Sequence, residues 1–128
     1  MDKTLAERLS EYVAQERSAA QLCASLAQKE NDPFRKEVLA SLAAEEEKHA
    51  EIFSAIFRRM TGEAPETPLL PHEEPDADLR SLVFQKSRRL SVYAEEYERT
   101  SALPLKRAFL RAFTEESSHA LRLLSLVL

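Results

Sequence analysis

The sequence contains very few of the residues that break helices or cross-link a fold. Its 128 residues include one glycine, one cysteine and no tryptophan. The single cysteine, Cys23, excludes a disulfide framework within this chain, and it also excludes the paired Cys-x-x-Cys sites of a rubredoxin or zinc ribbon. A chain with no disulfide is typical of a reducing compartment, so we expect a cytoplasmic protein.

Long apolar runs are missing as well. No stretch approaches the roughly 18 consecutive apolar residues that a membrane span requires, and the first ten residues lack the apolar segment of a secretion signal. The net charge is −4, and the one basic run, at residues 86–89, is short. We therefore expect neither a membrane nor nucleic acid among the partners.

The residues that are abundant favour helices. Alanine, leucine, glutamate, lysine and arginine dominate the chain, and these residue types lose the least free energy on entering a helix. The composition predicts an all-α fold in a single domain, 1–128. A domain of this length can bury a core without a structural metal, so any metal here would serve a function rather than hold the fold together.

Apolar residues recur at helical spacing in four segments. Asp32 and Pro33 separate the first two segments as an N-cap and a first helical residue, which predicts a short link and an antiparallel hairpin over residues 1–61. The only glycine, Gly62, suits the left-handed end of the second helix. The four apolar stripes are Leu5, Leu9, Val13, Ala20, Cys23 and Leu26; Leu39, Leu42, Phe53, Ile56 and Met60; Leu79, Leu82, Val83, Leu90, Tyr93 and Tyr97; and Leu105, Phe109, Phe113, Leu123 and Leu126.

Residues 62–78 carry four prolines and no periodicity, which predicts an extended linker. A linker of that length reaches roughly 55 Å, whereas a 28-residue helix is only about 42 Å long. The linker can therefore run the length of a bundle, with helices two and three parallel. The second hairpin covers residues 79–128, with a break near 100–104. Two antiparallel hairpins joined by one long crossover predict a four-helix bundle of ferritin-like topology.

The chain also carries an internal repeat. A shift of 70 positions superimposes Glu46 on Glu116 and His49 on His119, and all four residues stand on the apolar stripes of helices two and four. Glu16 stands on the stripe of helix one. Buried carboxylates are rare unless they are paired or ligated. A Glu and a His three residues apart on a helix can reach the same ion, and carboxylate with imidazole suits Fe, Mn or Zn.

These residues resemble the rubrerythrin-like ferritin domain over nearly the whole chain. The similarity is carried by Glu16-x-x-Ala19-x-x-x-Cys23, Asp32-Pro33, Ala44-Glu45-Glu46-Glu47-Lys48-His49-Ala50, Glu116 and His119. In that family, one Glu from each of helices one and three and a Glu-x-x-His from each of helices two and four bind two irons.

The resemblance implies a role for each predicted ligand. Glu16 and His49 would be terminal ligands, Glu46 and Glu116 bridging ligands, and His119 terminal on the second metal. It further implies an iron-dependent oxidoreductase that reduces peroxide or oxidises Fe(II). Because the rubredoxin module of full rubrerythrins is absent from this sequence, an external electron donor is expected.

Lys86 departs from the family pattern because it occupies the position that repeats Glu16. Four carboxylates would balance two divalent ions, whereas three carboxylates and one lysine total −2, which favours one ion over two. A metal-free cluster is equally self-consistent, with protonated His49 and His119 and with Lys86 paired to Glu16 or Glu116. The first reading gives a metal-binding protein. The second gives a metal-free bundle with a structural or partner-binding role.

Four further expectations concern single features. The run from Leu121 to Leu128 is apolar on more than one side, which predicts a homodimer. Cys23 is expected to be a small buried residue, and His72 to be solvated in the linker. Tyr93 or Tyr97 is expected on the inner face of helix three, near the Glu/His cluster.

Overall fold

The computed structural model describes residues 2–66 and 79–128. Within these ranges the chain forms four α-helices and no β-strand: α1 (Leu5–Lys29), α2 (Pro33–Thr61), α3 (Leu79–Arg99) and α4 (Leu103–Val127). The predicted all-α class with four helices is confirmed. From residue 67 onward the predicted linker lies outside the described residues, and so does His72.

The helix ends of the first hairpin follow local capping rules. The Thr4 hydroxyl accepts a hydrogen bond of 3.1 Å from the backbone N–H of Glu7 at the start of α1. Asp32 accepts one of 2.9 Å from the backbone N–H of Arg35, and Pro33 opens α2. The predicted N-cap is confirmed, and it leaves only residues 30–32 to connect the two helices.

Contacts between α1 and α2 show that the first hairpin is antiparallel. The rings of Tyr12 and Phe53 lie with their centroids 6.0 Å apart, and Glu16 contacts His49. A step of four residues forward along α1 therefore moves the contact four residues back along α2. The apolar residues around these contacts are buried, and they include Cys23 as expected: Leu9, Val13, Ala20, Cys23, Leu39, Leu42 and Ala50.

The second hairpin, α3 with α4, is antiparallel by the same criterion. Tyr93 and Phe109 lie with ring centroids 6.3 Å apart, and Lys86 contacts Glu116, so seven residues back on α3 correspond to seven forward on α4. Its buried apolar residues are Leu82, Leu105, Ala108, Phe109, Ala112 and Leu123. The chain thus forms two compact units, one for each hairpin. Their assembly into one domain with a ferritin-like crossover stays a prediction.

None of the helices in the described ranges combines the length and the apolarity that crossing a bilayer requires.

The C-terminus of α2 depends on its glycine. Gly62 adopts φ 76° and ψ 3°, in the left-handed region, and its N–H donates a hydrogen bond of 2.8 Å to the Arg58 carbonyl. No atom lies within 4 Å of the position that a Cβ would take. A side chain here would therefore meet backbone strain but no steric clash.

We expect Gly62→Ala to lower the free energy of unfolding by about 1–2 kcal/mol, because an L-residue with a Cβ is strained in this conformation. Gly62→Asn is the matched control, since asparagine tolerates the left-handed region better, and its loss should be smaller. Urea denaturation followed by circular dichroism measures both. Equal losses for the two variants would contradict the strain argument.

Candidate metal centre

Three chemically active side chains converge inside the first hairpin. Glu16 comes from α1, and Glu46 and His49 come from one face of α2, where a spacing of three residues places them about one turn apart. All three are at most 2% exposed. The inward orientation that the apolar stripes predicted is therefore confirmed for each of the three side chains.

The geometry of this group suits a metal ion. His49 Nδ1 lies 3.4 Å from Glu16 Oε2, and one ligand atom from each of Glu16, Glu46 and His49 lies within 4.8 Å of the others. Two nitrogen or oxygen ligands 2.0–2.2 Å from one ion are at most about 4.4 Å apart. The spacing is therefore close to that of a coordination shell.

The charge of the group matches a divalent ion. Two ionised carboxylates with a neutral imidazole carry −2, and a buried carboxylate is stable when it is paired or ligated. Carboxylate oxygen combined with imidazole nitrogen is a donor set that suits Fe, Mn and Zn. The first hairpin therefore contains a buried Glu/His cluster that could hold a metal ion.

In the second hairpin the buried carboxylate of Glu116 forms an ion pair with a lysine. Glu116 and His119 project from α4, Lys86 projects from α3, and each is at most 1% exposed. Lys86 Nζ lies 3.1 Å from Glu116 Oε2 and 3.3 Å from Oε1, so the ammonium contacts both carboxylate oxygens. His119 Nδ1 lies 3.5 Å from Glu116 Oε1.

Among the repeat positions of the Glu/His cluster, Lys86 is the one at which the two halves differ. Its long stem does not carry the ammonium out to water, although lysine side chains commonly extend in that way. Its repeat equivalent, Glu16, contacts a histidine, whereas Lys86 contacts a carboxylate. With Lys86 protonated and Glu116 ionised, this pair is neutral by itself.

Glu96 on α3 is a buried acid that the sequence analysis did not select. It is 2% exposed, and the guanidinium of Arg99 approaches it at 3.9 Å. The inward row of Leu82, Lys86 and Tyr93 continues to Glu96 at helical spacing, so the position could have been recognised from periodicity.

The two tyrosines expected on the inner face of α3 differ. Tyr93 is fully buried, whereas Tyr97 is half-buried. Lys106 Nζ donates a hydrogen bond of 2.7 Å to the Tyr97 carbonyl and lies 4.0 Å from the centre of its ring. Tyr93 therefore belongs to the core of the second hairpin, as predicted, and Tyr97 lies at its edge.

Fold and site together define an all-α protein of two helical hairpins with a buried Glu/His cluster. Comparison with protein-family models, curated proteins and solved structures gives no significant match. The resemblance to rubrerythrins is therefore supported only by the sequence motifs around Glu16, Glu46, His49, Glu116 and His119. The expectation that Glu116 and His119 complete one centre with Glu16, Glu46 and His49 stays a prediction.

We expect Lys86 and Glu116 to be strongly coupled. Lys86→Met should lower the free energy of unfolding by about 3 kcal/mol, because it leaves a buried carboxylate without its ammonium, and Glu116→Gln should act similarly. The double variant should lose clearly less than the sum of the two. Urea denaturation of the four proteins gives the coupling.

The exposed pair Lys3 and Glu11 is the matched control, since its charged groups contact each other at the surface. The same cycle there should give a coupling close to zero, because water screens the interaction. Additive losses for Lys86 and Glu116 would contradict the assignment of a buried ion pair.

Proposed function

We propose that this protein binds one divalent transition-metal ion, with iron as the first candidate, through Glu16, Glu46 and His49. The observation that carries the proposal is the convergence of three buried ligand atoms within 4.8 Å in the first hairpin. Isolated Glu-x-x-His sequences are common on solvated helix faces. A buried Glu-x-x-His beside a second buried carboxylate is far more specific.

Charge supports one ion per chain. The cluster of the first hairpin totals −2, which one divalent ion balances. In the second hairpin Lys86 already balances Glu116 at 3.1 Å, so a second ion would place additional positive charge beside a buried ammonium. Such an arrangement is electrostatically unfavourable in a site that water does not screen.

The donor set is compatible with several metals. Mn and Zn accept the same combination of carboxylate and imidazole, and iron is preferred because of the rubrerythrin resemblance. By the same resemblance, Glu116 and His119 are proposed as additional ligands from α4. A weaker metal affinity in Glu116→Gln that is absent in a surface control would support their participation.

Bound iron would supply redox chemistry, so two reactions are proposed. One is peroxide reduction, in which an external donor supplies the two electrons, and the other is Fe(II) oxidation, in which dioxygen or peroxide accepts the electrons. Glu16, Glu46 and His49 would hold the ion and exclude bulk water, because each is at most 2% exposed. Such burial favours small reactants like peroxide or dioxygen over large substrates.

The second candidate is a metal-free bundle with a structural or partner-binding role. The contact between Lys86 and Glu116 favours it, because that hairpin stabilises its buried carboxylate with a protein cation. In the first hairpin a protonated His49, 3.4 Å from Glu16, would reduce the negative charge in the same way.

We expect anaerobic loading with Fe(II) to give one iron per chain, and Mn(II) or Zn(II) to compete for it. A ligand that binds only the folded state raises stability, by about 2.7 kcal/mol at a concentration 100 times its Kd. The melting temperature should therefore rise with metal and fall with chelator. Elemental analysis and thermal denaturation measure the two effects.

Glu46→Gln and His49→Ala should remove most of the metal and of the stabilisation. Glu47→Gln is the matched control, since Glu47 is adjacent in sequence but exposed, and it should behave as the unchanged protein. Two irons per chain would contradict the charge argument. If the chain binds no iron and chelators have no effect on its stability, the metal-free candidate is favoured. If the iron-loaded protein neither consumes peroxide nor oxidises Fe(II), its role is limited to metal binding.

Lys86→Glu is expected to allow a second iron per chain, because it restores a carboxylate at the position that repeats Glu16. Lys86→Met is the control, since it removes the ammonium without supplying a ligand. Elemental analysis after Fe(II) loading distinguishes the two variants. One iron in both would show that the second hairpin lacks a competent site even with the additional carboxylate.

A further inference from the structure

The outer face of α4 carries an unusual amount of exposed apolar surface. Nine large hydrophobic residues are exposed in the described part of the chain, and five of them are leucines on α4 or at its C-cap: Leu103, Leu110, Leu121, Leu124 and Leu128. The opposite face of α4 packs into the second hairpin through Leu105, Phe109 and Leu123. Helix α4 is therefore apolar on two sides.

The exposed leucines follow a coiled-coil spacing. Positions 103, 107, 110, 114, 117, 121, 124 and 128 alternate in steps of four and three, which keeps one row facing a partner helix. We call these eight positions the leucine seam. Leucine occupies five of them, and the others are Arg107, Thr114 and Ser117. The seam extends over about 37 Å, the length of the helix.

The seam is nearly symmetric about its midpoint. In an antiparallel pair of α4 helices centred between residues 115 and 116, Leu110 faces Leu121 of the other copy, and Leu103 faces Leu128. Thr114 then faces Ser117, which places two small residues at the crossing point. Arg107 faces Leu124, where the aliphatic part of its stem can cover the leucine.

The flanking positions are compatible with this pairing. Arg111 would face Ser118, and Phe113 would face Ala120. Arg111 is also neutralised within its own helix, since its Nε lies 2.8 Å from Glu115 Oε1. No two like charges oppose each other along the seam, so the surface is complementary to itself.

We propose that α4 forms the interface of a homodimer, in which the leucine seams of two copies pack antiparallel about a two-fold axis. An isologous interface requires one patch that is complementary to itself, and the nearly symmetric seam meets this requirement. The exposed surface of the five leucines equals about three fully exposed leucine residues, and large exposed apolar surfaces mark association sites. This proposal is independent of metal binding, because it involves the outer face of α4.

The test is sedimentation of the 128-residue chain with and without metal. The unchanged protein should sediment at twice the chain mass, and Leu121→Glu should reduce that mass by half. Phe84→Glu is the matched control, since Phe84 on α3 is 65% exposed against 69% for Leu121, and it should remain dimeric. Circular dichroism should show unchanged helicity in each variant, because all the altered positions are exposed.

The antiparallel register has its own test. Leu110→Lys and Leu121→Glu should each be monomeric alone, because each places two charges against leucine in a homodimer. A 1:1 mixture should sediment as a dimer, since one Lys would face one Glu while the remaining Leu121 faces Leu110. A parallel pairing would give no such recovery, because position 110 would then face 110.

Three results would overturn the proposal: a monomeric unchanged chain, a dimer that survives Leu121→Glu, or a dimer that is lost in Phe84→Glu. A mixture of the two charged variants that stays monomeric would overturn the antiparallel pairing.

Discussion

The need to stabilise buried carboxylates is the constraint on which the rest of this structure depends. A carboxylate removed from water loses several kcal/mol of solvation, which only a cation or well-placed hydrogen bonds restore. Each hairpin buries a glutamate at the same repeat position, Glu46 in the first and Glu116 in the second. The two cores differ in the charged groups that surround this glutamate.

The groups that contact the buried carboxylates differ between the two hairpins, although the sequences of the hairpins repeat. In the second, the ammonium of Lys86 contacts both oxygens of Glu116, so the compensation is part of the chain. In the first, the repeat position of that lysine is Glu16, which adds an acid beside Glu46 and a histidine contact at 3.4 Å. One substitution therefore separates a self-contained ion pair from a group of oxygen and nitrogen donors that suits a divalent ion. The two hairpins therefore differ in their buried chemistry although both are antiparallel helix pairs.

Helix α4 connects this buried chemistry with the surface. Its inner face carries Glu116 and His119 between apolar core residues, and its outer face carries the leucine seam. Because side chains on opposite faces of a helix do not contact each other, the proposed metal binding and the proposed association can vary independently. Substitutions in the seam should leave the cores unchanged, and substitutions at Lys86 should leave the seam unchanged.

The sequence by itself determined the helices and the residues that face inward. Capping at Asp32, the left-handed Gly62 and the apolar stripes are local properties, and local properties are encoded within a few residues. The same stripes placed Glu16, Glu46, His49, Glu116 and His119 in the cores. Only the tertiary structure decided which carboxylate Lys86 contacts, because a long side chain reaches several partners and packing selects among them. It also decided that Tyr93 is buried whereas Tyr97 lies at the edge of the second hairpin, since the depth of a position near a helix end depends on what packs over it.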